Sequence, residues 1–399
     1  MLNPLCRQLN GITVTQSEDP AHRPGSVYNC GMRVGIDCRL PYYQIGGISQ
    51  YTLFLIQALA QLDGDSEYRI YHSRKDSQDY TPADDRFWRR SLWTPCHHRL
   101  ERWSLALELL PERLDVFHSP DFIPPAGGAS RRIITVHDLN FHYFPEFLTA
   151  ESRRYYNDQI AWAVQAADAI SADSEHTRQD LIRLLAIPPA KVQTIHLSVN
   201  PVYQAPAVAA DVAATLARLG LAPGFILFVG TMEPRKNIPT LLQAYALARA
   251  DHGVRVPLVL VGRRGWLYEE IFATIEALKL REHVVHLDQF DNQSLAHLYH
   301  SAGLLALPSH YEGFGLPPLE AMNCGCPVVT SDRGSLPEIV GPAGPLLPPD
   351  DVDLWAETLA RILADGAERE RLIAAGHQQA SRFSWARAAE ETRRLYQGL

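Results

Sequence analysis

The chain has 399 residues, with 37 Lys and Arg against 45 Asp and Glu for a formal charge of −8, and 46% of it is hydrophobic. At ~150 residues per domain that length implies two or three globular domains with ample core, while a charged fraction of 21% excludes a disordered chain. A net negative chain without a concentrated basic face is not built for nucleic acid, and apolar runs such as Phe225 to Val229 or Leu258 to Val261 fall far short of the ~18 residues of a membrane span.

Residues 1–31 show neither helical nor strand period and are expected to form a disordered extension. Met32 heads the first strand-like run and is a candidate true start of translation, an idea that N-terminal sequencing of a protein retaining Met1 would exclude. No run resembles a signal peptide, and six cysteines are too sparse for a disulfide framework, so a cytoplasmic, reducing location is expected. Strands are predicted at Arg33 to Ile36, Tyr68 to Tyr71, Asp115 to Phe117, Arg132 to Val136, Ala169 to Ser171 and Val192 to Ile195. Between the first two, Ile48, Tyr51, Leu55, Leu59 and Leu62 recur at helical spacing. Arg86 to Trp93, with Arg99, Arg102 and Trp103, mixes basic and aromatic residues as interfacial segments do. It suits a peripheral place at the cytoplasmic membrane face, the alternative being an ordinary exposed helix and loop.

Residues 201–222 loosen into Pro- and Ala-rich sequence read as a linker. A second alternation follows at Phe225 to Val229, Pro257 to Val261, Val284 to Leu287, Leu304 to Leu307 and Val328 to Thr330. The fold class is therefore α/β, with two successive doubly wound units at 32–200 and 223–384 and a C-terminal helix, 385–399, crossing back to the first.

Ligands of open parallel sheets gather beyond the carboxyl ends of strands, and three turns stand out there. Gly46-Gly47, opening a helix, lets backbone N–H groups approach an anion. Gly230-Thr231-Met232-Glu233-Pro234-Arg235-Lys236-Asn237 follows a Val-rich strand, with Asn237 as the expected helix cap, Pro239 in the first turn and Ile238, Leu241, Leu242 and Tyr245 as the buried stripe. Two cations at a helix N-terminus make sense if a diphosphate lies between them and the helix; the alternative is a solvated charge pair. The third turn, Pro308 to Met322, has glycines at Gly313 and Gly315, prolines at a helix start, and Glu312 and Glu320 eight positions apart. N–H groups from Phe314 to Leu319 suit phosphate or sugar oxygens, and the carboxylates suit sugar and ribose hydroxyls. Cys324-Gly325-Cys326 is too tight for a zinc site and is read as packing.

Glu312 and Glu320 in Glu-Gly-Phe-Gly-Leu-Pro-Pro-Leu-Glu-Ala-Met resemble the signature of retaining glycosyltransferases of family 4, whose GT-B architecture has two facing Rossmann-like domains with parallel sheets. The resemblance runs from roughly residue 32 to 395 and takes in Gly230 to Asn237, Val261-Gly262, Leu295 to Ala302 and Ser331 to Glu338. It implies that Glu312 meets the donor sugar and Glu320 the nucleotide ribose, with Phe314, Gly315 and Leu316 against sugar and phosphates. Gly230, Thr231, Val261, Gly262, Phe290, Gly313 and Leu319 fall with them on the donor side. Gly46 and Gly47 would face the diphosphate, and Arg235 and Lys236 would neutralise the leaving group. Many members carry arginine where this chain has Thr231, so Arg235 is expected to supply that charge. His137, in Thr135-Val136-His137-Asp138-Leu139, resembles the family's active-site histidine and would contact donor sugar or acceptor; Asp138 and Ser174, beside Glu175, fall on the acceptor side.

The implied activity is metal-independent, cofactor-free and retaining, with a nucleotide sugar as substrate. Asp351-Val352-Asp353 and Asp63-Gly64-Asp65 spell the Asp-x-Asp of metal-dependent transferases but follow no buried strand, and are read as loop acidity. The Gly-Thr-x-Glu-Pro-Arg-Lys-Asn and Val-His-Asp-Leu variants look like bacterial mannosyltransferases of surface-polysaccharide assembly. That favours GDP-mannose as donor and a saccharide or lipid-linked saccharide as acceptor. A UDP- or ADP-hexose donor, or a non-catalytic nucleotide-sugar-binding protein on the same fold, stay as alternatives. On this reading Lys236→Ala and Glu312→Ala abolish transfer with the thermal midpoint nearly unchanged.

Overall fold

The computed structural model describes residues 31–43, 46–62, 64–145, 159–288 and 290–398. The extension expected at 1–31 lies outside them except for Gly31, and so does Asp63 of one Asp-x-Asp. Two compact units divide the described chain: residues up to Leu197 together with Ser384 onward, and Ser198–Phe383.

The first unit is built on β1 (Arg33–Asp37), β2 (Glu67–Ser73), β3 (Phe87–Leu92), β4 (Leu114–Ser119), β5 (Ala129–Val136), β6 (Ala169–Ala172) and β7 (Val192–Thr194). Among the described residues they pair in parallel in the order β3-β2-β1-β4-β5-β6-β7. Central strands of such a sheet are covered on both faces, which is why Val34 and Ile36 of β1 and all of β6 are buried. β3 is the strand that hydropathy misses. Its Phe-Trp-Arg-Arg-Ser-Leu sequence survives because an edge strand is half-solvated: Phe87 and Leu92 are buried, whereas Trp88 and Ser91 are exposed. The Gly47–Ala60 helix buries Tyr51, Leu55 and Leu59 as its period predicts, and ends before Leu62. The Trp385–Gln397 helix packs beside it, with the Trp385 ring 5.5 Å from Phe54 and 6.2 Å from Tyr51.

The second unit carries β8 (Ile226–Val229), β9 (Leu258–Val261), β10 (Val284–Leu287), β11 (Leu304–Leu307), β12 (Val328–Ser331) and β13 (Leu346–Leu347), parallel in the order β10-β9-β8-β11-β12-β13. Its core gathers Ile226, Phe228, Leu260, Leu304 and Trp355. Residues 201–222 are not a linker. They form the turn Pro201–Gln204 and the helix Ala209–Leu219 within this unit. The buried Tyr203 ring lies 5.8 Å from Tyr299, and the Thr215 hydroxyl is 2.8 Å from His297 Nδ1. The prolines stand at or before element starts, where no N–H is needed, and the alanines favour helix. Val212, Leu216 and Leu219 recur at helical spacing among the alanines, a short stripe that the linker reading overlooked.

Candidate active site

In the second unit the site grows from the carboxyl ends of β8 and β9. Gly262 presses on the backbone of Gly230 so closely that a Cβ on it would lie 1.9 Å from the Gly230 carbonyl oxygen. Gly262→Ala is accordingly expected to lower the thermal midpoint by ~5 °C or more, measured by calorimetry, because two backbones rather than a side chain must yield. Beyond Gly230 the chain makes a tight turn at Pro234–Lys236, then passes through Asn237 at φ 53° into the helix Ile238–Asp251. Asn237 does not cap that helix with its side chain as expected. Its amide donates to Pro349 O at 2.9 Å and Asp350 Oδ1 at 3.1 Å, and its oxygen accepts from the Thr240 hydroxyl at 2.8 Å. Ile238, Leu241, Leu242 and Tyr245 are the fully buried stripe.

The turn exists to hold an ion cluster. Lys236 Nζ donates to Glu312 Oε1 at 2.6 Å, and Arg235 Nη1 to Glu312 Oε2 at 3.0 Å and to the Tyr311 carbonyl at 2.6 Å. Arg235 Nη2 reaches Glu233 Oε1 at 2.5 Å, and the Ser309 hydroxyl donates to Glu312 Oε1 at 2.6 Å. Burial pushes the Glu312 carboxyl up, but Lys236 and Arg235 overcome it and hold the group at about 2. Burial also pulls the Lys236 ammonium below its ordinary value, against the attraction of Glu312. The expected pair of cations is thus not a bare positive patch: Glu312 and Glu233 balance Arg235 and Lys236 charge for charge. The cluster is clamped from behind by the loop after β12. The Ser335 hydroxyl lies 3.0 Å from the Glu312 carbonyl and 2.5 Å from that of Phe314, and Gly334, at φ 61°, leaves no room for a Cβ against Glu312 O at 2.7 Å.

Glu312 leads through Gly313 to Gly315, which opens the Leu316–Asn323 helix in a left-handed conformation with Pro317 and Pro318 in its first turn. Those prolines have no N–H, and the Leu319 N–H is turned to Gly315 O at 3.4 Å. The Phe314 to Leu319 stretch therefore offers fewer donors than its length suggests. Leu319 is fully buried, a core residue rather than a lining one, while buried Phe314 sets its ring edge against Phe383 at 6.0 Å. Glu320 accepts from the Tyr299 hydroxyl at 2.8 Å; burial pushes its carboxyl up to about 7 despite that bond. Val261 is buried at the end of β9; Thr231 and Phe290 are half-buried in the turns after β8 and β10.

In the first unit His137 follows β5, and Asp173, at the end of neighbouring β6, fixes it. His137 Nδ1 is 2.6 Å from Asp173 Oδ2 and Nε2 is 2.9 Å from the Pro120 carbonyl. Both partners only accept, so both ring nitrogens carry protons. Burial would lower this ring, yet Asp173 and then Asp121 raise it to about 9. An imidazolium with both N–H groups engaged supplies positive charge, and neither a spare donor nor a general base. Tyr51 meets the ring edge-on at 5.0 Å, and its hydroxyl is 3.0 Å from Thr135 Oγ1, which is 2.8 Å from His118 Nε2; His118 Nδ1 is 2.7 Å from the Tyr396 hydroxyl. Burial drives buried His118 down to about 3, so it stays neutral.

Asp138 accepts from the Asn140 N–H at 3.0 Å and shapes the turn after His137. Ser174 is fully buried and caps the Glu175–Leu185 helix by accepting from Thr177 N at 3.1 Å. That geometry makes it a structural cap instead of the acceptor contact expected of it. Gly46 begins the Gly47–Ala60 helix with no side-chain cap, and a Cβ on Gly47 would meet nothing within 4 Å. Asp351 of the remaining Asp-x-Asp caps the Val352–Ala364 helix, accepting from Leu354 N at 3.1 Å. Cys324 and Cys326 are buried free thiols. Asp173, Glu233, Ser309, Ser335 and His118 went unread in the sequence. Glu233 and Ser309 had a local signal, lying inside the Gly-Thr-Met-Glu-Pro turn and three residues before Glu312; Asp173, Ser335 and His118 act from other strands and loops.

The model of "Glycosyl transferases group 1" matches residues 218–379, and that of "Glycosyltransferase Family 4" matches residues 45–203. O-antigen chain mannosyltransferase B of Escherichia coli is 32% identical over 376 residues, 90% of this chain and 97% of that protein. Among solved structures, the sucrose-phosphate synthase of Thermosynechococcus elongatus has a TM-score of 0.70 at 21% identity, covering 92% of this chain and 98% of that one. WaaG, a glycosyltransferase involved in lipopolysaccharide biosynthesis, has a TM-score of 0.68 at 17% identity over 92% of this chain and 100% of its own. Two parallel-sheet Rossmann-like units of the GT-B class, both family models and a full-length relative agree: the chain belongs to glycosyltransferase family 4 and is a glycosyltransferase.

Proposed function

We propose that this enzyme moves mannose from GDP-mannose to a saccharide or lipid-linked saccharide acceptor in surface-polysaccharide assembly, with retention and with neither metal nor cofactor. The observation that carries the reading is the Arg235, Lys236 and Glu312 cluster at the carboxyl ends of the second sheet. It is joined by the full-length likeness to an O-antigen mannosyltransferase. Breaking a glycosyl–phosphate bond puts negative charge on the leaving diphosphate. Arg235 and Lys236, already oriented by Glu312, stabilise that charge without reorganising. Glu312, held ionised, accepts from sugar hydroxyls, and Glu320 suits the ribose. His137, a cation with its protons committed, suits charge stabilisation rather than proton abstraction, which fits front-face attack in which a donor phosphate oxygen takes the acceptor proton and no side chain becomes a covalent nucleophile. A place at the cytoplasmic membrane face suits a lipid-linked acceptor.

The test is a thermal-shift series with GDP, UDP and ADP, each alone and as its hexose conjugate. GDP-mannose at ~100 Kd is expected to add ~2.7 kcal/mol of stability, a rise of about 5 °C or more. A rise with UDP- or ADP-hexose alone would replace the donor, and none with any nucleotide would remove the reading. Retention is read from the anomeric proton of the product, and metal independence from an unchanged rate in chelator.

A further inference from the structure

The first unit leaves an apolar surface uncovered by its own described residues. On the Glu101–Leu109 helix, Leu105 and Leu109 join the core with Leu92, Leu114 and Phe117. On its other side Leu100, Trp103, Leu107 and Leu110, spaced by three, four and three residues, are 56–69% exposed. Such spacing makes one continuous stripe, so the helix is apolar on two faces where a surface helix needs one. Glu108 ties the end of β3 to this helix by accepting from the backbone N–H groups of Trp93 at 2.7 Å and Thr94 at 2.8 Å. Trp93, 70% exposed, thereby stands beside the stripe. Trp88 extends the surface along β3, sharing by its two-residue period the sheet face of Leu92, which packs against this helix.

The charge around the stripe says what covers it. Exposed Arg74 and Lys75, just after β2, and exposed Arg99, just before the helix, are the cations that flank it. Arg74 lies 3.8 Å over the Trp93 ring, and Arg102 5.4 Å from that of Trp103. Arg86 and Arg89, which the sequence suggested for this role, are turned inward to carbonyls of Ala60 and Leu62 and of Asp76 and Gln78. The usable surface is therefore the helix stripe with its flanking tryptophans, not the basic run of β3.

We propose that the Leu100–Leu110 face docks the enzyme on an anionic phospholipid surface. Its apolar side chains enter the acyl boundary, and Arg74, Arg99 and the tryptophan-backed guanidinium groups meet headgroup phosphates. The proposal rests on the reading of a lipid-linked acceptor for its purpose alone, since vesicle binding needs neither donor nor acceptor and is scored apart from activity.

The experiment is co-sedimentation of the full chain with vesicles of phosphatidylcholine containing about one-third phosphatidylglycerol, and with phosphatidylcholine alone, at low and high salt. Expected are binding to the anionic vesicles at least ~10-fold tighter than to neutral ones, weakening with salt, and a further ~10-fold loss in Trp103→Ser/Leu107→Ser. The midpoint of this double variant should stay unchanged, because both side chains are exposed. Equal binding to both vesicle types, or a double variant that binds as the parent does, overturns the proposal. So does a dimer in sedimentation velocity that these substitutions dissolve, since the stripe would then be covered by a second copy.

Discussion

Glu312→Ala is expected to cost both stability and transfer. Lys236 is buried, and its described ion-pair partner is Glu312, so removing the carboxylate strands an ammonium in the interior. Breaking a buried pair in this way costs about 3–5 kcal/mol, which for units of this size lowers the midpoint by about 10 °C. The unchanged midpoint that the motif alone suggested is reversed by this geometry. Glu312→Gln keeps the volume and isolates the charge. It should lose about 10²–10³ in kcat, the scale of one oriented electrostatic contact in a transition state. Lys236→Met should destabilise less than Glu312→Ala, since Glu312 keeps Arg235 and Ser309. Differential scanning calorimetry and initial rates check all three. The acid limb follows the same cluster. With Glu312 held at about 2 against an ordinary 4.5, its contribution is present above 4.5 and lost as pH falls toward 2, so Glu312→Gln should flatten the decline of stability with acid.

Asp173→Asn should move the alkaline limb of the pH–rate profile by two units or more. In the parent, Asp173 keeps His137 protonated to about 9. Its folded value lies above its ordinary 6.5, so the stabilisation is fully present below 6.5 and lost as pH rises through 9. Without the carboxylate, burial works against the charge with Asp121 and the Pro120 carbonyl left to support it, so the ring loses its proton well below the parent's value. At pH 8 the variant should lose ~10-fold or more in kcat/KM if the imidazolium charge serves the transition state. Activity should recover toward pH 5.5, with the shift visible in the ring proton resonances of His137. Profiles that superimpose would mean that the charge of His137 plays no part in transfer.

The parallel sheets were legible because their buried strands are near-continuous Val, Ile and Leu, and β3 was not because an edge strand tolerates Arg89 and Arg90. Arg235, Lys236 and Glu312 could be named from motif spacing, yet their mutual pairing could not, since 76 residues separate Lys236 from Glu312. The same distance problem hid Asp173, which only the adjacency of β5 and β6 brings to His137. Local chemistry misled where one residue type serves two ends: Ser174 is as good a helix cap as a ligand contact, and Asn237 spends its side chain on Pro349 and Asp350.

The Ser384–Leu399 segment belongs with residues up to Leu197, although the whole of the other unit intervenes in the chain. Synthesis proceeds at ~5–20 residues per second, so the 186 positions between Leu197 and Ser384 impose a wait of roughly 10–40 s. During it Tyr51, Phe54 and His118 lack the covering side chains of Trp385 and Tyr396. The unit that emerges first is the last to be completed. On the ribosome it passes through a period with an open apolar seam beside its histidine strand, when a holdase has most to protect.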